Sequence, residues 1–349
     1  MTETNSTTNH PVPNLAGQAA YLIEVAARAP SLNNTQPWRF EVGERAIELY
    51  ADARRQLRED PVGRELLISC GAALYGLRLG IRSLGYQPEM DTLGYQLEAG
   101  SFPPRARQRP LARVRLGRAA PMTSEERKML QAVPHRHTHR GAFDPGSLPA
   151  GLLERLRDDV AAEGATLVVI GDGPAYQQLT AILSSWSRWR DLYPTSPAEI
   201  RTQAETLRWT REAGSPARDG VPAQAFPASA GREAGRLPQR DFDLGRGWGF
   251  PMSGGPPAPV TAIMATPGDD QESWLGAGQA LQRMLLRAAS QWVFARLQTQ
   301  PLQSASVRAQ IRGSLTPAES PQLLLELGVA RTSRPTPRRP TGDLTTDLG

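Results

Sequence analysis

Cysteine is almost absent: Cys70 is the only one in 349 residues, so no internal disulfide can form, which agrees with a reducing compartment. Lysine is equally scarce, with Lys128 standing against 39 arginines. A GC-rich genome produces that skew without selection for phosphate binding. The arginines are spread along the chain instead of gathered in a stripe with interleaved aromatics. Despite a net charge of +5 and a pI near 9.8, nucleic acid is therefore not the expected partner. No apolar run is long enough to span a bilayer; the longest, Leu66 to Leu77, is closed by Arg78 and Arg82. The polar stretch Met1 to Asn14 has neither a basic start nor an apolar segment after it, so no signal peptide is expected and the cytoplasm is the expected location. What remains is a globular composition, 39% hydrophobic, with room for two domains.

The most concentrated stretch is Ala29 to Phe40, Ala-Pro-Ser-Leu-Asn-Asn-Thr-Gln-Pro-Trp-Arg-Phe. Pro30 and Pro37 fix φ and push the residues before them out of helical geometry, so the chain between is extended or turned. Ser31, Asn33, Asn34, Thr35 and Gln36 then offer donors and acceptors on a stiffened loop, suited to gripping the edge of a flat heteroaromatic ring. The same residues also suit a capped helix end followed by a structural loop.

Before this loop, Leu15, Ala19, Leu22, Ile23 and Ala26 recur at helical spacing up to Arg28. After it, Trp38, Phe40 and Val42, a turn at Gly43-Glu44-Arg45, and Ile47, Leu49 and Ala51 predict a hairpin with one apolar face. Asp60-Pro61 opens a predicted long helix reaching about Gly85, in which Cys70, Gly71, Ala72 and Ala73 permit close helix–helix approach. Cys70 reads as core, not nucleophile. A strand is expected from Ala112 to Leu116. A capping box, Thr123 with Glu126, precedes a short helix that stops at Pro134. A helix from Leu152 to Ala162 and a strand from Thr166 to Ile170, expected to be buried on both faces, follow. From Glu212 to Val260, Gly or Pro fills 17 of 49 positions, a texture for a linker or a lid; Phe242, Trp248 and Phe250 tilt the reading to a lid. A strand from Val260 to Thr266 and a second long helix from Ser273 to about Phe294 come next. This helix aligns with the first, Cys70-Gly71-Ala72-Ala73-Leu74 against Ala277-Gly278-Gln279-Ala280-Leu281, and each has a later strand, Arg113 to Leu116 and Leu323 to Leu327. Two repeated α+β units are expected.

Arg136, Thr138 and Arg140 alternate, so in an extended segment two guanidinium forks and a hydroxyl share one face. That set makes a phosphate site, each charge-assisted bond worth about 1.5–3 kcal/mol. An exposed basic strand would show the same pattern. His135, His137 and His139, three of the four histidines, alternate on the other face and raise a metal site as an alternative, although no cysteine or carboxylate cluster completes it.

Pro30-Ser31-x-x-Asn34-x-Gln36-Pro37-Trp38 resembles the loop by which one subunit of a flavin-dependent nitroreductase reaches its partner's FMN. His135 to Phe143 resembles that family's Arg-x-Ser phosphate and ribityl motif, with Thr138 in place of Ser. Pro337-Arg338-Arg339-Pro340 is similar to its closing Lys-x-Arg clamp, with Thr336 where Lys would stand and Arg331 or Arg334 as substitutes. The resemblance implies an α+β nitroreductase fold in two tandem degenerate repeats, an intrachain pseudo-dimer of the Acg-like branch, acting as a monomer or dimerising again. It divides the chain into a disordered start (1–14), a first half (15–118), a second half (119–340, with the lid or linker 212–260) and a C-terminal tail (341–349). It implies FMN as cofactor, with Pro30, Ser31, Leu32 and Asn34 at the ring, and Arg136, Thr138 and Arg140 on phosphate and ribityl beside His137. Thr299 and Gln300 would lie where a backbone N–H approaches flavin N5, and Arg338 would serve as the clamp. The implied activity is two-electron transfer from NAD(P)H to a nitroaromatic or quinone-like small molecule. The alternative is an FMN-sequestering or redox-sensing protein with a covered flavin. Trp292, where the family usually has Gly, is expected to crowd the ring.

Overall fold

The computed structural model describes residues 14–92, 109–228, 237, 240–251, 259–332 and 334–347. Of the expected disordered start only Asn14 is among them, and its Oδ1 accepts from Ala16 N at 2.9 Å to cap α1 (Leu15–Ala27). The helical spacing of that segment has its expected result: Leu15, Ala19, Leu22, Ile23 and Ala26 are all buried. The hairpin β1 (Trp38–Val42) and β2 (Ala46–Ala51) follows, with Trp38 opposite Ala51 and Val42 opposite Ile47. The long helix α2 (Arg64–Ser83) starts later than Asp60-Pro61 suggested, because Gly63 at φ 73° turns the chain first. Asp60 still serves the helix, its carboxylate accepting from Leu66 N at 2.9 Å. Strands β3 (Tyr86–Thr92) and β4 (Ala112–Ala119) extend the hairpin's sheet.

Next come α3 (Ser124–Ala132), α4 (Leu152–Ala161) and β5 (Thr166–Ile170). Thr123 and Glu126 close the capping box in both directions, at 3.2 and 2.7 Å. A helical hairpin that the periodicity did not reveal, α5 (Pro174–Leu192) and α6 (Pro197–Trp209), leads to two paired short strands, β6 (Thr210–Arg211) and β7 (Val221–Pro222). Then follow β8 (Val260–Thr266), α7 (Gln271–Ala289), β9 (Val293–Gln298), α8 (Ala305–Leu315), β10 (Ser320–Val329) and β11 (Thr345–Asp347). The second long helix therefore ends five residues before Phe294, which lies in a strand instead. The segment expected as a tail carries β11, which pairs in parallel with β1, Phe40 opposite Thr345.

Besides the β6–β7 pair, the described residues form two larger sheets, one in the order β11-β1-β2-β4-β3 and one in the order β5-β8-β10-β9. The first has helices α1 and α2 on its apolar face, where Leu22, Trp38, Leu49 and Leu74 pack together. The second is covered on both faces: Leu156, Leu281 and Leu325 join a core with α4 and α7, while Leu179, Ile311 and Leu324 join another with α5 and α8. Its edge strand β5 is packed on both faces as expected, with Leu167 in the first of these cores and Ile170 and Val168 in the second, and only Thr166 is exposed. Helices α2 and α7 cross at two glycines. A Cβ on Gly71 would meet Leu275 O at 2.0 Å, and one on Gly278 would meet Ile68 O at 2.0 Å, so the contact is reciprocal and closes only without side chains.

Candidate functional site

The loop after α1 is held in a conformation few sequences tolerate. Asn33, Asn34 and Gln36 all have φ between 50° and 55°, costing of order 1–3 kcal/mol each unless the surroundings enforce it. The surroundings do so from three parts of the chain. Gln36 N donates to Ser31 Oγ at 2.9 Å within the loop, and Gln36 Nε2 donates to Arg218 O at 2.8 Å. Asn34 Nδ2 donates to Gly220 O at 2.9 Å and Pro337 O at 3.0 Å, while Arg339 N donates to Gln36 Oε1 at 2.8 Å. Asp219 is clamped between Arg55 and Arg211, each at 2.9 Å. The loop, the Gly/Pro-rich segment and the C-terminal arm are thus fastened to one another.

Beside this loop sit three arginines with no acid. Arg136 is buried; its Nη2 donates to Arg28 O at 2.9 Å, and its Nε and Nη1 are buried without any partner. Arg338 wraps the end of α1, donating to Ala27 O, Arg28 O and Ala29 O at 2.8, 3.2 and 3.0 Å and to Asn34 Oδ1 at 3.0 Å. The negative end of the helix dipole partly offsets the charge. Arg140 lies over the Phe242 ring at 5.4 Å. Among the described residues no carboxylate comes within 4 Å of Arg136, Arg140 or Arg338. Burial pushes Arg136 and Arg140 each down to about 10, with neighbouring Arg140 and Arg28 adding to the effect on Arg136. Arg338 is lowered too, by burial first and then by Arg136, Arg28 and Arg140. A dianion is the partner such a set lacks.

The cleft itself is lined by Pro30, Ser31, Leu32 and Asn33 on one side, by Thr138 and Arg140 on another, and by Gln298 at the end of β9 with Thr299 and Gln300 just after it. Phe226, Pro227, Ala228, Arg240, Asp241 and Phe242, from the Gly/Pro-rich segment, form a further wall. Arg240 is fixed there by Glu59 at 2.8 Å, an ion pair that is buried on both sides. Glu65, from the first turn of α2, also faces the cleft; burial raises its carboxyl to about 7 while Arg64, bonded to it, pulls the other way.

No family model matches the chain. Its sequence is 31% identical over 330 residues to a Mycobacterium tuberculosis protein named "Putative NAD(P)H nitroreductase Rv3131", covering 91% of this chain and 88% of that one. The chain belongs to the nitroreductase family. A second M. tuberculosis relative, "Putative NAD(P)H nitroreductase acg", is 26% identical over 328 residues, covering 92% of this chain and 93% of its own. Among solved structures, a nitroreductase with bound FMN from Bacteroides fragilis matches with a TM-score of 0.35 and 14% identity, over 60% of this chain and 93% of that one.

In this chain most sequence-expected site residues converge: Pro30, Ser31, Leu32, Thr138, Arg140, Thr299 and Gln300 share the cleft, and Arg136 and Arg338 stand behind it. Asn34 does not line the cleft; its amide is spent on Gly220, Pro337 and Arg338. The neighbouring Asn33 does, with both amide atoms buried and unpartnered. Spacing cannot separate two adjacent asparagines; only the turn decides which one faces inward. His137 lies against Phe294 at 4.4 Å, beside a second pocket behind Thr138. Burial lowers His137 to about 3 and His139 to about 4. His135 and His139 each meet a backbone carbonyl, and no group of three or more His, Cys, Asp or Glu suited to a metal occurs among the described residues. Trp292 does not crowd the cleft. It is 48% exposed and stacks on His135 at 5.3 Å; its φ of 58° is the physical reason a glycine serves at that position. Glu65, Arg240 and Gln298 were not read from the sequence, because nothing local marks which residues of a helix start, a glycine-rich segment or a strand end face a distant loop. No helix of the described residues is long and apolar enough to cross a membrane.

Proposed function

We propose that this chain is an FMN-dependent oxidoreductase that moves two electrons from NAD(P)H to a nitroaromatic or quinone-like acceptor in the cleft. One observation carries the reading: an arginine set, Arg136 buried and Arg140 and Arg338 half-buried, without counter-charge among the described residues, next to the buried Asn33 amide that no described residue meets. Those groups fit FMN, a planar heterocycle with a polar edge joined to a phosphate. Arg136 and Arg140 would hold the phosphate, with Arg338 fixing the arm behind them. Thr138 would meet the ribityl chain, and Ser31, Leu32, Asn33 and the Thr299–Gln300 turn would border the ring. FMN, when bound, supplies a hydride acceptor and donor at N5. The chain's part is placement, exclusion of water by Phe226 and Phe242, and tuning of the ring edge. The names of the mycobacterial relatives support NAD(P)H as donor.

We further propose that the two halves act as a built-in dimer within a cytoplasmic protein. Gly71 and Gly278, aligned in the repeat, meet reciprocally in the helix crossing, as equivalent positions about a two-fold axis would.

A second reading, flavin sequestration, is favoured by the buried Arg240–Glu59 pair that holds one wall of the cleft in place. Visible spectra of the purified protein decide between them. Flavin bands that bleach with NADPH in the absence of oxygen, with turnover when menadione is added, support the reductase. Bands that persist support sequestration, and a colourless protein that takes up no FMN sinks both.

A further inference from the structure

Next to the cleft runs a larger cavity, a groove of about 720 Å³ between α5, α6 and the start of α8. Gln300 belongs to the walls of both. We propose that this groove receives the adenosine diphosphate half of the pyridine nucleotide, with Trp189 as the adenine platform and Arg58 and Arg201 on the diphosphate. The inference rests on reading the cleft as the flavin site. A nicotinamide that reaches the cleft past Gln300 leaves the rest of its molecule outside, and the adjoining space is this groove.

Its volume falls within the range that holds such a ligand. Its charges are sorted in a way that suits a diphosphate. The acids are already neutralised: Glu59 is bound to Arg240 at 2.8 Å, and Glu199 takes both forks of Arg190 at 2.6 Å. Arg201 has no carboxylate within 4 Å among the described residues, and the exposed Arg58 only approaches Glu205 at 3.8 Å. The groove's uncommitted charge is therefore positive. Trp189 is 46% exposed beside Tyr193, with ring centroids 5.5 Å apart, so a large indole face is left open at the groove wall. Base–aromatic stacking uses such a face without demanding a fixed hydrogen-bond pattern. Gln303, also in the wall, has a side-chain Nε2 with no partner. Trp186 does not compete for the base, since Arg190 covers its ring at 4.8 Å.

The test compares two hydride donors on the FMN-loaded protein: the full dinucleotide, and reduced nicotinamide mononucleotide, which lacks the adenosine half. Trp189→Ala and Arg201→Glu change exposed side chains. Each is expected to raise the dinucleotide concentration for half-maximal flavin reduction by about tenfold or more, and to leave that for the mononucleotide unchanged. Equal effects on both donors, or none on either, overturn the proposal. If neither donor reduces the flavin, the reductase reading fails separately. ADP-ribose binding, followed by tryptophan fluorescence, then decides the groove by itself. Binding to the native chain that Arg201→Glu abolishes supports it; no binding, or binding indifferent to Arg201, overturns it.

Discussion

Two arginine clusters inside this molecule differ in one respect, and that difference separates architecture from ligand binding. In the first, Arg78, Arg283 and Arg287 from α2 and α7 meet Asp159 and Glu163. Arg287 binds Asp159 at 2.6 Å and also Glu125, Arg283 binds Asp159 and Glu163 at 2.9 and 3.0 Å, and Arg78 binds Glu163 at 2.6 Å. In the second, Arg136, Arg140 and Arg338 meet backbone carbonyls, an amide and a ring, but no acid among the described residues. The same side chain responds in opposite directions. Its bond to Asp159 raises Arg287 above the ordinary arginine value, whereas burial lowers Arg136 and Arg140. A neutralised cluster clamps helices. A cluster left charged is unfavourable until an anion arrives, so on the proposed function cofactor binding and stability would be linked there.

The sharpest way to break the comparison is to remove an acid from the neutral cluster. Asp159→Ala takes a carboxylate from two guanidiniums at once, leaving Arg283 with Glu163 and Arg287 with Glu125, and should cost about 3 kcal/mol of stability in urea unfolding, with FMN affinity of the folded fraction unchanged. The converse change removes a charge from the other cluster. Arg136→Ala or Arg140→Ala should weaken FMN binding by about 1.5–3 kcal/mol, roughly 10–100-fold in flavin titration, while the ligand-free chain unfolds no more easily than the native one. Thr138→Asp would make the second cluster like the first: more stable without ligand, and unable to retain flavin. A stability loss on Arg136→Ala matching that of Asp159→Ala would refute the distinction.

A change in the shared frame should leave both clusters' chemistry alone. Gly71→Ala drives a Cβ toward Leu275 O in the helix crossing and should cost about 1–3 kcal/mol in thermal or urea melts. The smallest effect concerns pH. His139 is buried and its proton affinity is depressed to about 4, so the folded chain cannot take the proton that an unfolded histidine takes near pH 6.5. Its contribution to stability is lost as pH falls from about 6.5 toward 4, opposite in sign to Glu65, whose raised carboxyl costs stability as pH rises toward 7. The stability difference between native protein and His139→Gln should therefore narrow by up to about 2 kcal/mol between pH 7 and pH 5.

Where a segment's partners are its own neighbours, the sequence was a sound guide. Helix α1, the β1–β2 hairpin and the Thr123–Glu126 box all follow from local spacing. Helices α5 and α6 were not read because their apolar stripe is thin; on α5 only Leu179 and Leu183 are buried. The end of α7 was misplaced because Trp292 adopts φ 58° without the glycine that would have marked a stop. Strand β11 could not be foreseen, since its partner β1 lies some three hundred residues away in sequence.

At the site the same division holds. The residue types were legible in three short motifs, and so was the family, because a charge-binding fork, a stiff polar loop and a basic arm are local patterns. Their assembly was not. Only the folded chain turned Asn33 inward and spent Asn34 on the arm, set Glu65 and Arg240 in the wall, and kept every described carboxylate away from Arg136. Sequence alone thus determined which chemistry the chain carries. The tertiary structure decided which atoms are free to use it, because a partner's presence or absence depends on what distant segments bring alongside.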